Sequence, residues 1–471
     1  MTWQTIAAEL AVSAWLFVLL AADVLLGPSR RRQLWLVALA GVALVAALLW
    51  WERAWIGQTF GLMFVLDQFA WLFKWLFLIV VAVVILMTRA AQESLARHAA
   101  EFYVLLFTGL LGMLVLASVN DLLLLFIGLE LLTFSIYVMA AYLKQDKRSV
   151  EAGLKYLIMG SISSGFLVYD LAILYGFAGG TRFDVLRAAI HISSAPMLAS
   201  VGMLLLMAAL GFKIGAVPFQ LWVPDVYEGA PTPVVAFLSV GSKMAGIVAL
   251  MRVLYGVFYQ FQSLWGPVLV LLSAMTIVYG NLGALLQTNV KRLLGYSSIG
   301  HAGYLLMGLA TGSLDGVAAV AYYLLAYALS TLTIFLVLTA AADQVGGEAL
   351  DDYKGFAKRS GGLAAAMFIG LLSLAGVPPL AGFVGKLLVL LRTVEQGRLW
   401  LAALGAVNVA ISLYYYLMVV KRMYLDAPRT ATPIRVSRLT TLTLAGLVIG
   451  IFAVGIFQEP FVRLIASALQ P

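Results

Sequence analysis

The chain has 471 residues, of which 63% are hydrophobic and 11% are charged, and its formal net charge is +8. This composition, with a mean hydropathy of +1.01, excludes a water-soluble globular domain and indicates a polytopic membrane protein. The basic excess does not indicate nucleic-acid binding, because Lys and Arg fall in short loops between apolar spans. Cysteine is absent from the sequence, which excludes disulfides, thiol nucleophiles and cysteine-ligated iron–sulfur clusters.

Apolar runs predict an all-α membrane protein with about fourteen transmembrane helices. In chain order we expect them near residues 5–26, 34–51, 64–88, 101–119, 121–143, 153–178, 195–222, 230–256, 263–288, 293–311, 316–341, 362–394, 398–423 and 438–457. Between the sixth and seventh spans, residues 182–190 place apolar side chains at helical spacing, which predicts a short surface helix.

The spans suggest four parts, which are an N-terminal three-helix segment, two repeats and a C-terminal loop with the last helix. Their expected bounds are residues 1–100, 101–256, 257–423 and 424–471. Most of the 30 Lys and Arg residues fall in loops that follow odd-numbered spans. By the positive-inside rule, this asymmetry predicts that both termini lie on the non-cytoplasmic side.

Glycine and proline interrupt the seventh and twelfth spans close to a lysine. The seventh reads LMAALGFKIGAVPFQLW, and the twelfth reads LLSLAGVPPLAGFVGKLLVL. Proline removes a backbone donor, so each helix should be broken there, and unwound backbone at membrane depth must be surrounded by protein or water. Because the two spans are five apart, helices 4–8 and 9–13 are predicted to form two inverted five-helix repeats.

Four ionisable residues lie inside predicted spans, namely Glu130, Lys213, Lys243 and Lys386. Carrying one such charge into the bilayer costs at least roughly 2.5–3.5 kcal/mol, so a functional role is the first hypothesis. The alternative is a static ion pair that holds the bundle together, which applies most readily to Glu130 and Lys213. Lys243 and Lys386 have no acidic neighbour in the sequence.

His301 is the single histidine within a predicted span, so no intramembrane pair can clamp a haem iron. It suits proton exchange near neutral pH. The equally weighted alternative is a neutral packing histidine that hydrogen-bonds Ser297, Ser298 or Tyr304.

For Asp67 and Lys74, structural and functional interpretations carry equal weight, whereas the other acidic groups in or beside spans are interpreted as structural. Asp67 and Lys74 are seven residues apart on one helical face, so they are expected to pair with each other or with another subunit. Asp170, Asp225 and Glu228 are expected near water, where they cap helices or line an entrance.

Three segments resemble the antiporter-like subunits of respiratory complex I, the proton-pumping NADH:quinone oxidoreductase. They are GFKIGAVPFQLWVPDVYEGAPTPVVAFLSVGSK at 211–243, KRLLGYSSIGHAGY at 291–304 and LAGVPPLAGFVGK at 374–386. The resemblance extends from about the fourth to the thirteenth helix. The DVYEGAPTPV motif and Lys386, where cation-antiporter relatives carry glutamate, favour one quinone-reductase branch of this family.

The resemblance implies a proton relay. In it Glu130 and Lys213 form an interacting pair, Lys243 is the central group, and Lys386 exchanges protons with the far side, with His301 as an additional relay. Burial favours the neutral amine of a lysine and a nearby carboxylate favours its charged form, so moving the partner can switch the site. Lysine suits this role because, unlike arginine, it can release its proton when buried.

The resemblance also implies partners and a location. The expected partners are other membrane subunits of complex I, including neighbouring antiporter-like subunits, together with the lipid bilayer and protons, and no nucleic acid. We expect no cofactor in this chain, since NADH and quinone are used elsewhere in the complex, and a place in the bacterial inner membrane. Two alternatives stay open, a subunit of a cation/proton antiporter or membrane-bound hydrogenase of the same superfamily, and a purely structural subunit.

Overall fold

The computed structural model describes residues 3–91, 99–192, 196–430 and 432–469, and these ranges are almost entirely helical. Within them, 12 segments are long and apolar enough to cross a membrane. The predicted all-α membrane class is therefore confirmed. The count of fourteen helices, the inverted orientation of the repeats and the four-part division stay predictions.

The N-terminal segment contains three long helices and a small hairpin that the sequence did not predict. The helices are α1 (Ala7–Arg30), α2 (Leu34–Glu52) and α3 (Gln68–Ala90), and the antiparallel strands are β1 (Gly57–Thr59) and β2 (Phe64–Leu66). The third helix begins after the hairpin instead of near residue 64, because Asp67 caps it by accepting a hydrogen bond from Ala70 N at 2.7 Å.

The middle of the chain contains α4 (Ala99–Ala117), α5 (Leu122–Ala140), α6 (Lys147–Ala178), α7 (Phe183–Ile192), α8 (Pro196–Ile214), α9 (Trp222–Gly229), α10 (Thr232–Phe237) and α11 (Lys243–Gly256). The short helix expected between the sixth and seventh spans is α7, which buries Phe183, Leu186 and Ile190. A five-residue π-helical segment, Leu238–Ser242, joins α10 to α11.

The rest of the chain contains α12 (Gln262–Leu285), α13 (Val290–Ala310), α14 (Leu314–Val345), α15 (Phe356–Arg359), α16 (Gly361–Ala375), α17 (Ala381–Glu395), α18 (Leu399–Tyr424), α19 (Arg438–Ile456) and α20 (Gln458–Ala468). The last helix was not predicted. Side chains cap several of these helices, as where Asn289 accepts from Arg292 N at 3.0 Å before α13.

Both predicted helix breaks are present. The first lies between α8 and α9 and the second between α16 and α17. Each preceding helix ends at a glycine in the left-handed region, Gly215 with φ 74° and Gly376 with φ 91°, where a side chain would be strained. Polar side chains satisfy the freed backbone, since Val217 N donates to Thr276 Oγ1 at 3.0 Å and Gly382 N donates to Ser373 Oγ at 3.1 Å.

The centre of the bundle is formed by α10, the π segment and α11, whose residues are almost all buried. On its sides α11 packs against α4 and α8, while α13 packs against α9, α12, α14 and α17. The N-terminal segment joins this centre through α3, which contacts α10 and α14. The charged residues of the spans therefore lie where several helices meet.

Candidate functional site

Three lysines predicted to be functional are buried at helix junctions. Their exposed fractions are 4% for Lys213, 5% for Lys243 and 3% for Lys386. Within the described ranges, none of the three lies in ion-pair contact with a carboxylate, and each contacts uncharged oxygen atoms. Burying an ammonium group without a charged partner costs free energy, so these positions favour the neutral amine form of each lysine.

Glu130 and Lys213 are brought close together but do not touch. Lys213 lies in the last turn of α8, and its Nζ donates to Thr133 Oγ1 of α5 at 2.5 Å. Half-buried Glu130, one turn before Thr133, accepts a hydrogen bond from Ser164 Oγ of α6 at 2.6 Å. The carboxylate and the ammonium group are therefore each held by a separate hydroxyl group.

Lys243 is the first residue of α11, directly after the π segment. Its Nζ donates to the backbone oxygen and the Oγ of Ser298 in α13, and it lies 5.2 Å from the centre of the Tyr327 ring. One turn further along α11, a Cβ added to Gly246 would lie 3.3 Å from Lys213 Cγ. The stem of Lys213 thus packs against α11 one turn away from Lys243.

Ser298 connects Lys243 to two tyrosines. Its Oγ is 2.7 Å from Tyr227 OH and accepts from Tyr327 OH at 3.0 Å. Tyr327 OH is also 2.8 Å from Ser239 Oγ in the π segment. Hydroxyl groups can both donate and accept, so this cluster can carry a proton in either direction.

His301 lies one turn after Ser298 on α13 and is 3% exposed. Its Nδ1 is 2.5 Å from Tyr323 OH and its Nε2 is 3.1 Å from Tyr416 OH. The expectation that His301 hydrogen-bonds Ser297, Ser298 or Tyr304 was wrong, because its ring points away from its own helix toward α14 and α18. Both ring nitrogens are therefore engaged by hydroxyl groups of other helices.

Lys386 lies beside the second helix break. Its Nζ donates to Ala375 O at 3.1 Å, at the end of α16, and lies 5.1 Å from the centre of the Tyr304 ring. The Tyr304 ring meets that of Tyr323 edge-on with centroids 6.4 Å apart. Tyr323 is the partner of His301, so aromatic side chains fill the space between His301 and Lys386.

A polar cleft of about 240 Å³ opens between α6, α9 and α13. Asp225 and Glu228 line it, as expected for an entrance, and both accept from Arg292 Nη1, at 2.7 Å and 2.9 Å. Tyr227 lies between Asp225 and Glu228 in the sequence of α9, and its OH contacts Ser298 Oγ of α13. Helix α9 therefore borders the cleft with Asp225 and Glu228 and contacts the Lys243 cluster through Tyr227.

Two interpretations of other acidic and basic residues were wrong. Asp67 and Lys74 do not pair with each other, since Asp67 binds Arg252 with both oxygens at 2.6 Å and Lys74 Nζ lies 2.7 Å from Glu9 Oε1. Asp170 is not near water, because it lies fully buried on α6, and in the described part of the chain its carboxyl oxygens have no hydrogen-bond partner. It caps no helix.

Sequence reasoning missed the hydroxyl groups that hold the charged residues. The ones that matter most are Thr133, Ser164, Ser298, Tyr227, Tyr323, Tyr327 and Tyr416. Part of the signal is visible in the sequence, because Thr133 follows Glu130 by three residues and Ser298 precedes His301 by three. The tyrosines carry no such signal, since they come from distant helices.

Residues 119–412 match the family described as "NADH:quinone oxidoreductase/Mrp antiporter, TM". The chain belongs to this family. Among its relatives, a protein of Moorella thermoacetica named NADH-quinone oxidoreductase subunit N is 41% identical over 443 residues, which cover 94% of this chain and 93% of the relative. A protein of the same name from Chloroflexus aggregans is 39% identical and covers 99% of this chain and 97% of the relative.

Solved structures extend the likeness of this antiporter-family chain to its whole length. A chain of respiratory complex I from Thermus thermophilus with bound aureothin is 30% identical, with a TM-score of 0.83, covering 98% of this chain and 99% of that one. A chain of the Mrp complex from Dietzia sp. DQ12-45-1b has a TM-score of 0.86 at 21% identity and shares the fold, covering 100% of this chain and 97% of that one. The family expected from the three sequence motifs is confirmed.

Proposed function

We propose that this chain is subunit N of a bacterial NADH:quinone oxidoreductase and moves protons across the membrane through Glu130, Lys213, Lys243, His301 and Lys386. It works within a complex of several membrane subunits, and quinone reduction in the partner subunits supplies the energy. In this proposal the chain lies in the inner membrane with both termini on the non-cytoplasmic side. The names of its relatives and its full-length likeness to a chain of respiratory complex I support the assignment.

The observation that carries the relay is that, within the described part of the chain, the three buried lysines donate their hydrogen bonds to uncharged oxygens. A lysine locked to a carboxylate would keep its proton, whereas a lysine held by hydroxyl and carbonyl groups can give it up when the local field changes. Moving one proton against 100 mV requires about 2.3 kcal/mol. Making or breaking one buried ion pair is sufficient to supply that amount.

Glu130 is the proposed switch. In the structure it is held by Ser164 while Lys213 is held by Thr133, which corresponds to the separated state of the pair. If Glu130 turns toward Lys213, the ammonium form becomes favoured and Lys213 takes up a proton. When the two separate again, Lys213 passes that proton to Lys243, whose helix adjoins it at Gly246.

From Lys243 the proposed route continues through hydroxyl groups. Ser298 and the tyrosines around His301 link the central lysine toward Lys386. The cleft at Asp225 and Glu228 supplies water on one side of Tyr227, so protons enter the Lys243 cluster there as well. Lys386, beside unwound backbone, is the exchange point with the opposite side.

The test is Lys243→Ala in the intact complex in sealed vesicles, with quinone reduction and proton translocation measured together. We expect an assembled complex whose coupled turnover falls at least tenfold, because the central proton-holding group is gone. Lys421→Ala is the matched control, since Lys421 is an exposed lysine in the last turn of α18.

Two other outcomes would decide against the proposal. An assembled Lys243→Ala complex that pumps like the Lys421→Ala complex would make the buried lysine structural. Translocation that depends on sodium ions and continues without quinone reduction would favour the cation/proton antiporter alternative.

A further inference from the structure

The N-terminal segment contains a buried cluster of charges that lies outside the proposed relay. Lys74 of α3 is 0% exposed, Glu52 at the end of α2 is 0% exposed, and Glu9 in the first turn of α1 is 7% exposed. Lys74 Nζ lies 2.7 Å from Glu9 Oε1 and 4.9 Å from the centre of the Phe64 ring. Each of the three helices therefore contributes one ionisable side chain to one enclosed place.

Glu52 is hydrogen-bonded to the first turn of α1, which also carries Glu9. Its Oε1 accepts a hydrogen bond from Ala8 N at 2.6 Å, one of the amides that a helix start leaves without an internal partner. Its other oxygen, Oε2, and Oε2 of Glu9 are buried and have no hydrogen-bond partner among the described residues. Glu52 is thus fixed next to Glu9 with an unused oxygen inside the protein.

The charges of this cluster do not balance. Two carboxylates and one ammonium group leave one negative charge in an enclosed, low-dielectric place, which is strongly unfavourable. Because Glu52 is completely covered by this chain, no side chain of a partner subunit reaches it. The adjacent Arg53 is exposed and its guanidinium lies over the rings of Trp50 and Trp71, at 6.0 Å and 5.4 Å.

Among the residues that the structure describes, other charged groups on the neighbouring helices do not supply the missing charge. At the same end of α3, and on the helices that pack against it, they are paired with one another: Asp67 with Arg252, Asp315 with Arg392, and Glu459 with Arg463. The remaining charged residues lie toward the other ends of their helices. Two of them have partners there, since Asp23 binds Arg31 and Arg89 covers the ring of Trp35. The others are Glu101, Asp343 and Arg438. A bound proton is the simplest source of the missing positive charge.

We propose that Glu9, Glu52 and Lys74 form a second proton-binding site, in which the two carboxyl groups share one proton beside the lysine. Binding converts one carboxylate to a carboxylic acid and release reverses this, with no other bond made or broken. Glu52 is the last residue of α2, next to exposed Arg53, so the proton exchanges with water at that membrane surface. The site belongs to the three-helix segment that precedes the 119–412 family match.

Infrared spectroscopy of the purified complex tests this directly. At neutral pH we expect this cluster to give one carbonyl band of a buried protonated carboxylic acid that shifts slowly in heavy water. It is identified in the difference spectrum between wild type and variant, because buried Asp170 is a separate carboxyl group that the substitutions leave unchanged. Glu52→Gln and Glu9→Gln should each remove the band completely, because the remaining carboxylate then balances Lys74 and stays ionised. Glu459→Gln, which alters an exposed carboxylate paired with Arg463, is the control and should leave the band in place.

Each contrary result would overturn the proposal. If the wild-type complex shows no such band, or the band survives both substitutions, then another group balances the cluster. Failure of Glu52→Gln to assemble would also count against it, because the amide reproduces the shape and neutrality of the protonated acid. As a second readout, Lys74→Met should lower the amount of assembled complex, and adding Glu9→Gln should restore it.

Discussion

Thr133 determines which group the Lys213 ammonium meets. Its hydroxyl accepts from Lys213 Nζ at 2.5 Å while Glu130, one turn away, is held by Ser164. Replacing it by valine removes a hydrogen bond to a charged donor, worth about 1.5–3 kcal/mol, and leaves Glu130 as the nearest polar partner. The separated state of the pair should then be less populated.

We therefore expect Thr133→Val to slow coupled proton translocation by roughly tenfold, the factor that corresponds to about 1.4 kcal/mol. Proton uptake and quinone reduction by the intact complex in proteoliposomes measure this. The control is Thr108→Val, because Thr108 Oγ1 bonds only to Val104 O of its own helix, at 2.9 Å. Equal rates for the two variants would show that Thr133 does not govern the Lys213 proton.

At this scale the sequence revealed the charged residues but not their partners. Glu130, Lys243 and Lys386 are visible because a charge within an apolar run is rare and costly. Tyr323 and Tyr416 are not visible, since hydroxyl residues are common in membrane helices and their role depends on which distant helix they face. Asp170 shows the same limit, because its burial depends on how α6 packs.

At the scale of elements, the second helix break positions Lys386. Gly376 ends α16 with φ 91°, and a Cβ built on it would lie 3.1 Å from Lys386 Cδ. Alanine at this position would adopt the left-handed region at a cost of about 1–2 kcal/mol and would also press on the lysine stem. The geometry of the break and the position of the lysine are therefore coupled.

Gly376→Ala should lower the thermal unfolding temperature of the complex and reduce proton translocation at the same time. Gly446→Ala is the matched control, because Gly446 lies within α19 and an added Cβ meets no atom within 4 Å. In a helix interior that change should leave stability unchanged or slightly raised. Full activity and an unchanged unfolding temperature in Gly376→Ala would mean that the break adapts freely.

Glycine and proline residues predicted both helix breaks, since each residue type directly affects which backbone conformations are allowed. The hairpin of β1 and β2 and the π segment had no comparable signal. Three-residue strands are too short to show alternation, and the residues of Leu238–Ser242 also occur in ordinary buried α-helices.

At the scale of the whole molecule, one ion pair fastens the N-terminal segment to the central helices. Arg252 of α11 donates to both oxygens of Asp67, the residue that caps α3, and also to Ala117 O at the end of α4. Burial raises the pKa of Asp67, but the charge and hydrogen bonds of Arg252 outweigh this and hold the pKa below its usual value. Three helices from two parts of the chain therefore meet at one guanidinium group.

Asp67→Asn should destabilise the protein by roughly 1–3 kcal/mol at neutral pH, because it weakens the cap and leaves the guanidinium without its charge partner. Since the pKa is lowered on folding, this stabilisation is complete above the ordinary pKa of aspartate and is lost as the pH falls through the lowered value. Thermal unfolding measured at several pH values checks both statements. A wild-type protein no more stable than Asp67→Asn at neutral pH would contradict them.

The sequence could not predict this connection, because Asp67 and Arg252 are 185 residues apart. The spacing of Asp67 and Lys74 on one helical face suggested a local pair, yet each finds a partner on another helix. Long-range pairing depends on the packing order of the helices, which apolar periodicity alone does not specify.

The direction of the Lys243 side chain depends on how many residues the preceding π segment contains. A π-helical turn contains one residue more than an α-helical turn needs, and such turns occur mostly as single insertions. Each residue of a helix rotates the next by about 100°, so removing one residue between Leu238 and Ser242 would turn Lys243 away from Ser298 without altering any side chain. The number of residues in this stretch is therefore a constraint of its own, separate from the constraint that packing places on their identity.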